Sequence, residues 1–144
     1  MARDKALERV FRKILAIQAG TDADASHVAA AARRLNEDFA GQLTPLIGEL
    51  GVTAIYARSL HLAQEQCPGL APVLASQQDH GPIPRAQHVI EHQELAVGTD
   101  LAVAILTSVV ELLTSFIGEG LTTSLLCKAW PDDFVGSTTE DITR

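Results

Sequence analysis

The sequence predicts an all-α protein, a compact bundle of about five helices around a long apolar C-terminal helix. Alanine and leucine dominate the composition, whereas the aromatic residues are only four Phe, one Tyr and one Trp. This bias favours helices over strands. Residues 101–130 are almost wholly apolar, and their few polar residues recur at three- and four-residue steps. That period is helical, and a helix that is apolar around most of its circumference must be buried on nearly all sides.

Length, charge and cysteine content limit the class of protein. A chain of 144 residues corresponds to one domain, which we place at residues 1–130, followed by a flexible acidic tail at 131–144. The formal net charge of −7 argues against a nucleic-acid-binding protein, because such proteins present a basic surface. Cys67 and Cys127 are far apart in the sequence, and no secretory signal pattern opens the chain. We therefore expect thiols in a reducing compartment and a cytoplasmic location.

The first half of the chain contains three predicted helical segments. The first covers residues 3–19 and is ended by Gly20, a residue typical of helix C-termini. The second covers residues 25–41, with an N-cap supplied by the Thr-Asp-Ala-Asp stretch before it. Thr44 and Pro45 then predict a new start, and this third segment can run to Gln66. Two glycines in its first turns leave a bend possible there.

The second half of the chain begins with a connection. Residues 68–84 hold four of the six prolines and predict a long non-helical segment. A helix is expected at residues 85–97, with Gly98 as its end. The final helix starts at Thr99 or Asp100 and continues to Trp130, because Pro131 cannot extend it.

The sequence contains one internal echo. Residues 44–49, Thr-Pro-Leu-Ile-Gly-Glu, and residues 114–119, Thr-Ser-Phe-Ile-Gly-Glu, agree at four of six positions. Either a helical unit has been duplicated or common residue types coincide by chance, and the spacing matches no standard repeat period. In both cases Gly48 and Gly118 lie inside helical patterns, where each costs about 1 kcal/mol relative to Ala. We expect such glycines to permit close approach of another helix, and we predict a helix crossing at Gly118.

The apolar circumference of the last helix also predicts self-association. It carries more apolar surface than a monomer of this size readily covers, and large exposed apolar surfaces mark interfaces. We therefore expect a homo-oligomer, most simply a twofold dimer. The predicted interface residues are Ile105, Val109, Leu112, Leu113, Phe116 and Gly118.

A small-ligand sensor is the alternative function. An apolar pocket between helices would need a few polar anchors, and Tyr56, Arg58 and His61 are suitable in type and spacing. Glu111 interrupts the most apolar helix, where an unpaired carboxylate is costly. Either the polar stripe that contains Glu111 faces solvent, or Glu111 is a functional acid or pairs with Arg58 or His61. Because the stripe is narrow, we expect Glu111 to be partly buried with a basic partner and to take part in the ligand site.

His88, Glu91 and His92 match the spacing H-x-x-E-H of one class of zinc hydrolases. Two histidines one helical turn apart can share Zn²⁺, and the glutamate between them can act as a base on bound water. No third protein ligand at a fixed spacing is visible. The motif therefore predicts at most a weak metal site at His88 and His92, and a metal-dependent hydrolase is the least favoured function.

These observations favour a small cytoplasmic interaction or regulatory module that self-associates. We expect no catalytic activity, no catalytic residue and no cofactor. A partner protein is possible, and a nucleic-acid partner is not expected. A membrane span is not expected, because Glu111 interrupts the apolar run after ten residues, whereas a span needs about twenty.

Overall fold

The computed structural model describes residues 5–66 and 82–130 and contains five α-helices, with no strand in those two ranges. The helices are α1 (Lys5–Ala19), α2 (Ala25–Gln66), α3 (Pro82–Glu91), α4 (Leu95–Ile117) and α5 (Glu119–Ala129). The all-α prediction is therefore confirmed. Most of the predicted proline-rich connection and the predicted tail at 131–144 lie outside the described residues.

Helices α1 and α2 begin and end largely where the sequence predicts. Gly20 follows α1 with a positive φ of 96°, a conformation that glycine adopts without strain. Asp24 caps α2, because its Oδ1 accepts hydrogen bonds from the Ser26 hydroxyl at 2.7 Å and from the His27 backbone N–H at 3.1 Å. The Ser26 hydrogen bond, followed by that of His27, lowers the pKa of the Asp24 carboxyl.

The break in α2 lies at Gly48, one of the two glycines at which the sequence leaves a bend possible. The helix continues through Gly41, Thr44 and Pro45, and its backbone leaves the helical region only at Gly48, with φ 78° and ψ 165°. The prediction of a helix end at Gly41 and a start at Pro45 is therefore wrong. Pro45 removes one backbone hydrogen bond but does not end the helix. The chain turns at Gly48, and a glycine is needed at this position because its conformation is essentially restricted to glycine.

The predicted single helix at 99–130 consists instead of two helices. Gly118 separates α4 from α5 with φ 92° and ψ 160°. Gly98, expected to end a helix, lies inside the first turns of α4 and is buried. A Cβ there would lie 3.1 Å from the Ile90 carbonyl oxygen. Glycine at this position therefore lets α4 approach the end of α3 closely, which is the role that we assigned to Gly118.

Helix α4 is the apolar centre of the bundle. It packs against each of the other four helices, as does α2. Every residue from 101 to 110 is buried, including Ser108 and Thr107. By length and composition α4 could cross a membrane, with a mean hydropathy of 1.8, but 61% of that window is buried within the fold. Core helices of compact proteins meet the same criterion, and the burial favours that interpretation.

Aromatic packing closes one end of the bundle. The Trp130 ring stacks on Phe39 at a centroid distance of 5.4 Å and meets Phe11 edge-on at 5.6 Å. The residue that follows α5 is thereby held against α1 and α2. Such ring pairs contribute about 0.5–1.5 kcal/mol to stability beyond the effect of the area they bury.

An exposed ion pair between Arg12 and Asp100, at 2.8 Å, joins α1 to α4. Exposed ion pairs contribute little to stability.

Candidate functional site

The two helix breaks share one conformation and one local sequence. Gly48 and Gly118 differ by 14° in φ and 5° in ψ (92° − 78° and 165° − 160°). Four residues before each glycine, a threonine hydroxyl donates to the carbonyl four residues earlier in its helix: Thr44 to Ala40 and Thr114 to Val110, both at 2.8 Å. The two similar sequence segments therefore adopt the same local structure. Each is a helix end with the sequence Thr-x-x-Ile-Gly-Glu.

Neither break is a helix crossing. Nothing lies within 4 Å of a Cβ built on Gly48 or on Gly118, and both residues are exposed. The prediction that Gly118 contacts another helix is therefore wrong. Its function is conformational, since φ 92° with ψ 160° lies in a region that residues with a Cβ rarely adopt.

An apolar groove lies between α2 and α4 where the two breaks occur. Its volume is about 560 Å³, within the range of about 300–1,000 Å³ that is usual for small-molecule sites. The isoleucine before each broken glycine, Ile47 or Ile117, contributes to the wall. Among residues 5–66 and 82–130, Arg58 is the only charged side chain that lines it. The lining residues in these ranges are Ile47, Gly51, Ala54, Ile55, Arg58, Leu112, Leu113, Phe116 and Ile117.

The groove is open to solvent at its rim. Phe116, which lines it, is 73% exposed. Near the breaks, Leu46 and Leu50 on α2 and Leu121 on α5 are exposed as well, Leu50 to 88%. Large apolar side chains on both sides of both breaks thus remain accessible, and such clusters mark binding surfaces.

The four predicted ligand anchors are not brought together. Tyr56 is 1% exposed and its hydroxyl donates to the Asn36 carbonyl oxygen at 3.2 Å, so it belongs to the core. Burial raises the pKa of Tyr56 far above its ordinary value. His61 is exposed, with its Nε2 3.7 Å from a Glu65 carboxylate oxygen. Glu111 is half-buried. Only Arg58 lines the groove.

The expected partner of Glu111 is not found. Within residues 5–66 and 82–130, Glu111 forms an ion pair with neither Arg58 nor His61. Arg58 likewise forms no ion pair or side-chain hydrogen bond with any residue in these ranges. The one guanidinium on the wall of the groove is therefore not neutralised by a carboxylate of the described chain.

The predicted interface residues divide into two groups. Ile105, Val109 and Leu113 are each at most 1% exposed. They are covered by the chain's own helices, so a single chain buries more of α4 than its composition led us to expect. Leu112 is half-buried, and Phe116 and Gly118 are exposed. A contact with a second chain is open only to the residues of the second group.

The His88, Glu91 and His92 side chains meet on the surface of α3. Their potential ligand atoms all lie within 4.8 Å of one another. The His92 Nδ1 lies 2.8 Å from the His88 carbonyl oxygen, so this nitrogen carries the proton and donates. That tautomer leaves the His92 Nε2 lone pair available, whereas the His88 Nδ1 lies 3.8 Å from Glu91 Oε1. In the described ranges no further Cys, Asp, Glu or His joins the group.

This group offers at most three ligands from one exposed helical turn. A structural zinc site needs four protein ligands, and a catalytic site needs three with a bound water in a shielded cavity. All three side chains are partly or fully exposed among the residues that the structure describes. Three ligands on one helical turn can bind a divalent transition metal weakly.

Most of the groove was missed by sequence reasoning. Leu112, Leu113 and Phe116 were identified as functional, but as contacts to a second chain, and Arg58 was identified as an anchor. Ile47, Ala54 and Ile55 were not identified. A signal for the first of these was available, since Ile47 and Ile117 occupy the same position in the two Thr-x-x-Ile-Gly-Glu segments.

Comparison with other proteins adds no family. No known protein family, curated protein or solved structure matches the chain. The arguments on function therefore rest on the residues and geometry described above.

Proposed function

We propose that the protein is a non-catalytic binding module whose groove between α2 and α4 takes an apolar small molecule. The groove carries this proposal, because eight of its nine lining residues are apolar and its volume is that of a small-molecule site. Binding would remove the lining of the groove from water and gain about 25 cal/mol for each Å² of apolar surface covered. A regulatory role would follow if the ligand changed how the helices pack at the two breaks.

Filling the groove tests this proposal directly. Ala54 is exposed and lines the groove, so Ala54→Phe places a ring in the binding volume without removing a core side chain. Ala57 is also exposed on α2 but does not line the groove, which makes Ala57→Phe the matched control. We expect a neutral apolar dye such as Nile red to bind saturably to the wild type and to Ala57→Phe, and at least tenfold more weakly to Ala54→Phe.

Two results would reject the groove as the binding site. One is the absence of saturable dye binding by the delipidated wild-type protein. The other is equal affinity in Ala54→Phe and Ala57→Phe, because a dye that ignores the groove must bind elsewhere. Circular dichroism of both variants verifies that helix content is unchanged.

Self-association is a second candidate, and one observation favours it. Phe116 at the groove and Leu50 two residues after the Gly48 break expose large apolar surfaces, and a second copy of the chain would cover them. The contact would then involve the end of α4 and the break of α2, and not the buried face that contains Ile105. We expect a dimer at tens of micromolar, most simply with twofold symmetry.

Sedimentation of charged variants tests the dimer. Phe116→Asp should yield a monomer, because an aspartate at a dimer contact would be desolvated. Ile17→Asp is the control, since Ile17 is 65% exposed on α1, and α1 does not line the groove. A monomeric mass of the wild type at tens of micromolar, unchanged by dilution, would remove this candidate and leave the ligand proposal intact.

A further inference from the structure

Arg58 gives the groove a polarity that its apolar lining alone does not predict. In the described part of the chain it is the single charged residue of the lining, and no carboxylate there pairs with it. It lies seven residues, about 10 Å along a helix axis, beyond Gly51, which also lines the groove. The Arg58 guanidinium and the Gly48 break are therefore separated along the part of α2 that lines the groove.

An unpaired guanidinium beside an apolar surface selects for an anion. Arginine stays charged at all physiological pH values and presents five donors in a planar fork that fits a carboxylate through two parallel hydrogen bonds. Such charge-assisted bonds are roughly twice as strong as neutral ones. The ligand that satisfies both parts of this site is apolar along its length and negatively charged at one end.

We propose that the groove binds a single-chain amphiphile with a carboxylate head, a fatty acid. The carboxylate pairs with Arg58, and the alkyl chain lies along the apolar lining toward Ile47 and Ile117. Arg58 is exposed, and in the described lining no second basic residue accompanies it, so one guanidinium matches one negative charge. A phosphate monoester carries about −1.5 to −2 charges at neutral pH, and a single guanidinium would balance only part of that charge. This proposal rests on the groove being the binding site.

Ligands with the same alkyl chain and different head groups separate the contribution of the head group to affinity from that of the alkyl chain. Dodecanoate, 1-dodecanol, dodecyl phosphate and dodecyltrimethylammonium are titrated below their micellar concentrations into delipidated protein, and displacement of Nile red is measured. For the wild type we expect dodecanoate to bind about tenfold more tightly than dodecanol, since only the carboxylate can form a bidentate, charge-assisted pair with Arg58. The cationic ligand should bind most weakly.

Variants that remove one positive charge then test whether Arg58 causes the preference for dodecanoate over dodecanol. Arg58→Gln should bring the affinity of dodecanoate down to that of dodecanol and leave dodecanol nearly unchanged. Arg34→Gln is the matched control, because Arg34 is exposed on the same helix and does not line the groove. It should retain the wild-type preference.

The outcomes distinguish this inference from the broader proposal. Equal binding of dodecanoate and dodecanol to the wild type, or a preference that survives Arg58→Gln, overturns the carboxylate inference while the apolar groove stands. Tightest binding of dodecyl phosphate overturns it in favour of a doubly charged head. Failure of every ligand to bind overturns both the inference and the groove proposal.

Discussion

The middle of α4 and its C-terminal end are both apolar but have different surroundings. Residues 101–110 are buried without exception, whereas at 112–117 the apolar side chains line an open groove or face solvent, and Phe116 is 73% exposed. Neighbouring helices make the difference. Around residues 101–110 the bundle closes, while near the C-terminal end of α4 both α2 and α4 are interrupted, at Gly48 and Gly118. A run of apolar residues predicts burial, but the position of the helix breaks decides where burial stops.

The largest expected contrast lies between Ile105 and Phe116. Ile105→Ala should lower the free energy of unfolding by about 2–5 kcal/mol, because it leaves a cavity in a closed core. Phe116→Ala should change it by less than about 0.5 kcal/mol, as is usual for exposed positions. Urea denaturation at one low protein concentration measures both. Similar losses in the two variants would show that the open end is closed in solution and would remove the contrast.

Glycine substitutions test whether the break itself depends on backbone conformation. Gly118→Ala should destabilise by about 1–3 kcal/mol, because the conformation of Gly118 is nearly exclusive to glycine. Gly120 has ample space for a Cβ and lies inside α5, so Gly120→Ala should stabilise by about 0.5–1 kcal/mol. Thermal denaturation should therefore shift in opposite directions. A stabilising Gly118→Ala would mean that α4 and α5 form one continuous helix, as the sequence alone predicts.

The ionisation of Tyr56 tests whether this residue lies in the core, although its neighbour Ile55 lines the groove. Ile55 lines the groove, whereas the Tyr56 hydroxyl is buried, and this burial raises the pKa of Tyr56. The folded state therefore favours the protonated form. This contribution is complete below the unfolded pKa of about 10, and above it the stability should fall by up to about 1.4 kcal/mol per pH unit.

The sequence contains one tyrosine, so the change in ultraviolet absorbance that accompanies tyrosinate formation reports Tyr56 alone. We expect tyrosinate to appear only together with loss of helical circular dichroism. Tyrosinate formation near pH 10 in a fully helical protein would place the hydroxyl in contact with solvent. In that case Tyr56 would return to the set of possible ligand anchors.

The smallest effect is expected at the histidine pair. His88→Ala combined with His92→Ala should leave helix content, oligomeric state and groove binding unchanged, since both side chains are at the surface of α3 and neither lines the groove. The wild type purified without a tag should contain little bound metal. The opposite outcome is stoichiometric zinc and a hydrolytic activity in the wild type, both lost in the double variant. That result would show that the functional site is on α3 and not in the groove.

The sequence predicts the helices well because their signals are local. The Asp24 cap, the Gly20 terminus and the apolar period at 101–110 each act within one or two turns, and the structure confirms them. The break positions were predicted less well. Gly98 and Gly118 both lie in helical patterns, and only packing distinguishes a glycine that permits contact from one that turns the chain.

The candidate site depends on tertiary placement, which the sequence does not carry in one segment. Its walls come from residues 47–58 and 112–117, which are more than fifty positions apart. Tyr56 and Arg58 are only two residues apart, yet one lies in the core and the other lines the groove, because successive helical positions differ by about 100° in direction. The internal echo was the one sequence feature that connected the two walls.

The most direct test of the central claim is isoleucine methyl NMR of the protein with dodecanoate. The groove places the methyl groups of Ile47, Ile55 and Ile117 against the ligand, whereas Ile14 and Ile105 lie in the closed core. We predict saturable shifts of the first three signals and negligible shifts of the last two. Saturable binding that leaves Ile47, Ile55 and Ile117 unperturbed would contradict the account, because the ligand would then occupy a site other than the groove.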